Sequence, residues 1–91
     1  MNKRLHVYYS GRVQGVGFRF TAERLATDLG LGGWVKNLAD GRVELICEGK
    51  QERLEKVLAK IDHEFSDYIR QKDVSWMDGT GEFDNFQVRF F

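Results

Sequence analysis

The spacing of apolar residues in this chain switches from that of a strand to that of a helix, and this switch limits the possible folds most strongly. In residues 4–10, Leu5, Val7 and Tyr9 alternate with polar or less apolar neighbours, a period of two that predicts a half-buried strand. Between residues 18 and 29 the apolar side chains recur at helical spacing, and Gly30 stands where a helix would end. The first third of the chain therefore predicts a strand followed by a helix.

The same switch then occurs a second time. Residues 33–38 and 42–48 read as two strands, and Asp40-Gly41 between them is a strong hairpin signal because glycine reaches positive φ without steric cost. A second helix is predicted from about residue 51 to 65, with an apolar stripe that would face a core.

Two further strands complete the pattern, at about residues 70–78 and around Phe86, Val88 and Phe90. The predicted order is β-α-β-β-α-β-β, which is typical of an α+β, ferredoxin-like split βαβ sandwich. We expect an antiparallel sheet with both helices packed on one face. The segment 62–70 contains neither Pro nor Gly, so the end of the second helix and the start of the fourth strand are uncertain by about four residues.

Composition limits both domain organisation and partners. The chain has 91 residues, enough for a single domain over residues 1–91, and 42% of them are hydrophobic, enough for an ordinary core. The 14 basic and 14 acidic residues give zero net charge without a basic cluster, which disfavours nucleic-acid binding.

Cysteine usage and hydropathy indicate the compartment. Cys47 is the only cysteine, which excludes an intramolecular disulfide and a cysteine-rich metal site and favours a reducing environment. The N-terminus lacks the apolar run of a signal peptide, and no apolar segment approaches the ~20 residues needed to span a bilayer. We therefore expect a cytoplasmic protein with no membrane association.

The glycine-rich loop between the first strand and the first helix carries the clearest chemical signal. Gly11, Gly15 and Gly17 precede Arg19, which falls in the first turn of the predicted helix. Glycines allow a backbone to curl around an anion, the helix N-terminus offers unpaired N–H groups, and an arginine adds a planar fork of donors. The loop is consistent with a cradle for one phosphoryl group. An ordinary turn followed by a surface arginine remains the alternative on spacing alone.

Two longer blocks give this loop a context. The run GRVQGVGFR, from Gly11 to Arg19, resembles the signature of the acylphosphatase family. The run GWVKNLADGRVE, from Gly33 to Glu44, resembles that family's second signature, and the two occur in the family's order and with its usual separation.

The resemblance implies a reaction and a site. The reaction is hydrolysis of a carboxylic–phosphoric anhydride to carboxylate and phosphate, without metal, cofactor or covalent intermediate. The substrate would be a small acyl phosphate, and we expect the protein to be a monomer. Arg19 would bind the phosphate and Asn37 would orient the attacking water. The phosphate oxygens would be held by the loop backbone amides of Val13, Gln14, Gly15, Val16, Gly17 and Phe18.

Other chemistries have less support in the sequence. His6 and His63 lie far apart and have no acidic companion at ligand spacing, so each is interpreted as a surface or hydrogen-bonded histidine. The alternative function is a non-catalytic ferredoxin-like binding module. Such a module would act with a larger carbamoyl phosphate-handling enzyme or as an RNA-binding domain, although the neutral charge disfavours the latter.

Overall fold

The computed structural model describes residues 2–90 and contains seven helices and strands in the predicted order. Their bounds are β1 Lys3–Gly11, α1 Phe18–Asp28, β2 Gly32–Asn37, β3 Val43–Gly49, α2 Gln51–Glu64, β4 Ile69–Asp78 and β5 Phe86–Arg89. The doubtful junction is resolved closely, because the second helix ends and the fourth strand begins within one residue of prediction. Neither helix of this described part is long and apolar enough to cross a membrane.

The five strands form one sheet in the order β4-β1-β3-β2-β5. This confirms the ferredoxin-like α+β class, but the expectation of a wholly antiparallel sheet is wrong for one pairing, since β5 lies parallel to β2. β4 and β5 lie at opposite edges of the sheet, and the chain between them crosses the end of the sheet at which β4 stops. β5 therefore starts at that end and runs opposite to β4. Because β2 also runs opposite to β4, β5 and β2 are parallel.

The core lies between the sheet and the helices. Alternate residues of β1, namely Leu5, Val7 and Tyr9, are fully buried, as the period of two predicted. The second helix contributes the stripe Leu54, Val57 and Ile61, also fully buried. These faces pack together because an amphipathic helix and a half-apolar sheet each hide their apolar side only against the other.

Sheet topology brings two distant chain segments to the same end of the sheet. Val43 of β3 pairs with Tyr9 of β1 on one side and with Asn37 of β2 on the other. Since β1 and β2 both run antiparallel to β3, they are parallel to each other and stop at the same end of the sheet. The loop that follows β1 therefore lies beside the end of β2.

A second loop, residues 79–82, is fastened near the opposite end of β3. The Glu48 carboxylate accepts hydrogen bonds from the Thr80 and Gly81 backbone N–H groups, each at 3.0 Å, and from the Thr80 hydroxyl at 2.9 Å. Arg4 Nε also donates to this carboxylate at 2.6 Å. A buried carboxylate with this many donors ties the connection before β5 to the sheet.

Candidate active site

The glycine loop, residues 12–18, is held at both ends. Arg12 donates its backbone N–H to the Tyr68 carbonyl oxygen at 2.9 Å. Val13 is fully buried, and the ring of buried Phe18 lies 4.9 Å from that of Tyr9 and 4.6 Å from that of Phe65, measured between centroids. These apolar anchors fix the loop against the core, while Gly15 and Gly17 between them are exposed.

Two glycines shape the exposed part of the loop. Gly15 has φ +76° and Gly17 has φ +80°, a left-handed conformation that side-chain-bearing residues rarely adopt. A Cβ added to either would meet no heavy atom of the described chain within 4 Å. These glycines are therefore needed for backbone conformation, and the space in front of them is open.

The loop presents a run of backbone donors without protein acceptors. None of the hydrogen bonds found within residues 2–90 uses the N–H of residues 13 to 18, and Thr21 N–H is the donor to the Gly17 carbonyl, at 3.1 Å. No side chain of this part of the protein caps α1, and no acidic residue lies in its first turn. The unpaired N–H groups of this run and the positive end of the helix dipole therefore favour an anion at this loop.

Arg19 adds a full positive charge at this place. Its guanidinium carbon lies 4.9 Å from the centroid of the Phe90 ring, a cation–π contact. No acidic side chain within residues 2–90 forms an ion pair with it. An aromatic ring thus lies against the guanidinium, whose N–H groups make no hydrogen bond within residues 2–90 and remain able to bind an oxyanion.

Asn37, the last residue of β2, contributes an acceptor. Its Oδ1 is buried and has no hydrogen-bond partner among residues 2–90. Buried polar atoms are almost always paired, so an unpaired acceptor at the wall of a cavity is a candidate to bind a ligand or water. The other two such atoms in this range belong to Tyr9 and Asp62, which do not line the same cavity.

The loop, the arginine and the asparagine meet at one cavity of about 140 Å³. Its lining residues are Val13, Gly15, Gly17, Phe18, Arg19, Phe20 and Asn37. The structure thus brings together six of the eight residues predicted from the sequence. The protein has larger open clefts, including one of about 550 Å³ beside Lys3 and Trp76, but that cleft is lined by residues of β1, α2 and β4 and not by the glycine loop.

Gln14 and Val16, the other two predicted residues, do not line the cavity. Val16 packs against the core. The Gln14 side chain turns away and donates from Nε2 to the carbonyl oxygens of Leu38 at 2.8 Å and Arg42 at 3.0 Å. Gln14 therefore joins the glycine loop to the hairpin that follows Asn37, a bridging contact that the sequence did not predict.

Two aromatic residues near Arg19 were not among the predicted site residues. Phe20 lines the cavity, and Phe90 stacks on the guanidinium. One signal was available: Phe20 lies outside the apolar stripe of α1, which makes an aromatic residue at that position unexpected for core packing. No comparable signal marked Phe90, because its neighbour is set by the pairing of the last strand.

Other titratable groups are committed elsewhere. His6 Nε2 lies 2.7 Å from Glu44 Oε2 on the sheet face away from the helices, so this histidine is hydrogen-bonded, and its acidic companion comes from a neighbouring strand. Cys47 is buried, and burial raises the pKa of its thiol. Residues 2–90 contain no group of three His, Cys, Asp or Glu side chains that could hold a metal ion.

Comparison with known sequences identifies a family over nearly the whole chain. The family model described as Acylphosphatase matches residues 5–88. An acylphosphatase of Methylococcus capsulatus (strain Bath) is 48% identical over 87 residues, covering 94% of this chain and 95% of that protein.

Comparison with solved structures gives the same family and one longer relative. The crystal structure of acylphosphatase from Bacillus subtilis superposes with a TM-score of 0.89 at 31% identity, covering 97% of this chain and 99% of that chain. HypF from T. kodakarensis superposes with a TM-score of 0.81 at 29% identity, but the similarity covers only 12% of that longer chain.

Proposed function

Because this chain belongs to the acylphosphatase family, we propose that its glycine loop and Arg19 bind the phosphoryl group of an acyl phosphate and that Asn37 orients the attacking water. The reaction is hydrolysis of the carboxyl–phosphate bond to a carboxylate and inorganic phosphate. The observation that carries the proposal is the run of N–H groups at residues 13 to 18, which have no acceptor in the described chain. Four of these six residues, namely Val13, Gly15, Gly17 and Phe18, line the cavity together with Arg19 and Asn37.

The donors suit the charge of a phosphoryl group in transfer. The loop N–H groups and the Arg19 guanidinium stabilise the peripheral oxygens, on which negative charge is concentrated. The loop donors are held in place before substrate arrives, because Val13 and Phe18 are buried in the core. Little reorganisation is then required at the moment of reaction, which is the condition under which such donors accelerate a reaction most.

Asn37 suits the nucleophile. Asn37 lines the cavity, and its amide oxygen, which has no partner in the described chain, can accept a hydrogen bond from the attacking water and direct a water lone pair at phosphorus. An amide does not take up the proton, so the proton passes from the attacking water to an oxygen of the phosphoryl group. The P–O bond to the acyl group breaks, and the electron pair leaves with the carboxylate, a good leaving group that requires no general acid.

Hydrolysis of benzoyl phosphate, followed optically, tests the proposal. We expect Arg19→Ala to lower kcat/KM by about 10³-fold or more, because the principal charge at the phosphoryl group is lost. Arg24→Ala is the matched control, since Arg24 is an exposed arginine of the same helix that does not line the cavity. Asn37→Ala should lower kcat by about 10²-fold while inorganic phosphate still binds as an inhibitor.

The opposite results would refute the roles. Equal rates for wild type and Arg19→Ala at the uncatalysed background would remove the enzyme function and leave the non-catalytic binding module. An Asn37→Ala variant that lost phosphate binding together with turnover would assign Asn37 to binding rather than to the nucleophile.

We also propose that residues 1–91 act as one domain and as a monomer in the cytoplasm, with a small acyl phosphate rather than nucleic acid as ligand. Zero net charge and a buried, unpaired cysteine support this view. Sedimentation equilibrium at the mass of one chain, together with no retention of labelled RNA at physiological salt, is the expected outcome.

A further inference from the structure

The mouth of the cavity has an unusual surface. Phe90 is 64% exposed and Phe20 is 60% exposed, the largest values among the exposed large apolar side chains of residues 2–90. Both adjoin Arg19, since Phe20 lines the same cavity and Phe90 stacks on the guanidinium. Single exposed apolar residues are common on proteins, but here the two most exposed ones flank the charged group of the proposed site.

The position of these rings relates them to one part of the substrate. If the phosphoryl group occupies the cradle, as the proposed function states, the acyl group must project from the cavity past its rim. At about 140 Å³ the cavity offers little room for a bulky acyl group in addition to the phosphoryl group. The acyl group therefore meets whatever surface borders the opening, and Phe20 is the exposed side chain there.

We propose that Phe20 and Phe90 form a subsite for the acyl group and favour acyl phosphates whose acyl group is aromatic or otherwise extended and apolar. This inference rests on the proposed function and adds the substrate class to it. The rings gain by covering apolar surface that is otherwise exposed to water, and an aromatic acyl group can also stack on them. A small acyl group such as acetyl offers little surface to either ring.

The two rings have different side effects when removed. Phe90 supports the Arg19 guanidinium, so its truncation would also disturb phosphoryl binding for every substrate. Phe20 makes no such contact with the arginine among the aromatic–cation pairs of the described chain. Phe20→Ala is accordingly the clean test of the subsite, and its exposure means that the fold should tolerate the change.

The kinetic test compares benzoyl phosphate with acetyl phosphate. For Phe20→Ala we expect kcat/KM to fall about 5- to 10-fold for benzoyl phosphate and to stay within about 2-fold for acetyl phosphate. Because the variant is compared with wild type separately for each substrate, the different intrinsic reactivities of the two substrates do not affect the result. Trp76→Ala is the control, because Trp76 is 42% exposed and lines a different cleft; both of its rates should be unchanged.

A binding test separates this inference from the proposed function. Benzylphosphonate and methylphosphonate carry the same phosphonate group, cannot be hydrolysed at an acyl bond, and are titrated by calorimetry against wild type and Phe20→Ala. We expect benzylphosphonate to bind wild type about 5- to 10-fold more tightly, and the preference to fall to about 2-fold or less in Phe20→Ala.

Each outcome decides one of the two claims. Turnover of both substrates with an unchanged benzoyl-to-acetyl ratio in Phe20→Ala overturns the subsite and leaves the hydrolase intact. Absence of turnover in wild type overturns the proposed hydrolysis, and the ratio of the two phosphonate affinities then still decides the subsite. Equal losses for both acyl phosphates would also overturn it, because they would indicate a general disturbance of the phosphoryl site.

Discussion

Two loops of this protein offer backbone N–H groups to an anion, and they differ in where the anion comes from. In loop 79–82 the Thr80 and Gly81 N–H groups donate to Glu48, a buried carboxylate of the protein itself. In the glycine loop, the N–H groups of residues 13 to 18 have no acceptor within residues 2–90. Similar backbone chemistry therefore serves attachment in one loop and is available for a ligand in the other.

The difference follows from what surrounds each loop. Glu48 lies on β3, where the sheet register sets it beside Arg4, and the loop before β5 closes over the pair. At the glycine loop the charged side chains are instead cations, Arg12 and Arg19, and neither forms an ion pair with an acidic side chain of the described chain. The loop that faces a carboxylate of the sheet is attached by it, whereas the loop beside an arginine without an ion-pair partner is the one that we propose as the binding site.

The pKa of Glu48 records the strength of the clamp. Burial opposes ionisation, but hydrogen bonds from the Thr80 backbone, the Arg4 guanidinium, the Gly81 backbone and the Thr80 hydroxyl outweigh it and lower the pKa to about 2. We expect the same kind of donors to favour the charged form of a bound phosphoryl group in the glycine loop.

Among changes that exchange the character of the two loops, the largest expected effect comes from giving the glycine loop a carboxylate of its own. Gly15→Asp places one where φ is +76° and where the added Cβ meets no heavy atom of the described chain within 4 Å. Two unit charges about 4 Å apart repel by about 4 kcal/mol at the protein surface, so we expect kcat/KM for benzoyl phosphate to fall by about 10²- to 10³-fold. Gly15→Asn is the matched control, with nearly the same shape, no charge and similar tolerance of left-handed backbone.

The pair of variants isolates charge from conformation. Gly15→Asn should retain most of the activity. If the two variants lost activity equally, the loop would be sensitive to any side chain, and its role as an anion site would lose this support.

The converse change removes the carboxylate from the clamp. Glu48→Gln cannot accept from all of its present donors, so we expect a loss on the order of 2 kcal/mol in the free energy of unfolding at neutral pH, with kcat nearly unchanged. Glu55→Gln, on the exposed face of α2, is the control and should change little. Urea unfolding measures both.

The pH dependence of this stability has a defined sign. Because the folded-state pKa of Glu48, about 2, lies below the ordinary value of 4.5, its contribution is present above pH 4.5 and is lost as the pH falls towards 2. The stability difference between wild type and Glu48→Gln should therefore shrink across this interval. A difference that stayed constant down to pH 2 would show that ionised Glu48 does not hold the loop.

The smallest expected effect concerns the bridge between the glycine loop and the hairpin. Gln14→Leu removes the two hydrogen bonds to the Leu38 and Arg42 carbonyl oxygens while keeping a similar volume. We expect kcat to fall about 10-fold with KM within about 2-fold, because the loop and Asn37 lose their fixed relative position. Gln71→Leu, an exposed change on β4, provides the baseline; equal kcat values for the two variants would leave Gln14 without a positioning role.

Local sequence patterns predicted much of this molecule because the features concerned are themselves local. The period of two in β1 and the helical stripe of α2 each depend on a few consecutive residues, and both match the buried positions. The phosphate cradle could be suggested from the glycines and Arg19 for the same reason. Asn37 was identified through family resemblance and not from a local pattern, because its proximity to the loop depends on how β1 and β2 each pair with β3.

The features that the sequence did not predict are contacts between distant segments. The parallel pairing of β5 with β2 depends on the chain crossing a whole sheet end. The Phe90–Arg19 contact depends on that pairing, and the attachment of Thr80 to Glu48 depends on residues 32 positions apart. No short-range pattern encodes such contacts, because they are selected by packing over the entire sheet.

Backbone amide chemical shifts during titration with inorganic phosphate test the central claim most directly. We predict saturable chemical-shift changes for the amides of residues 13 to 18 in the glycine loop. No comparable change is expected for Thr80 and Gly81, whose N–H groups already donate to Glu48. In Arg19→Ala the same loop amides should respond only at much higher phosphate concentration. Loop amides that stay unmoved at saturating phosphate, or that move no more than those of Thr80 and Gly81, would contradict the assignment of this loop as the phosphoryl site.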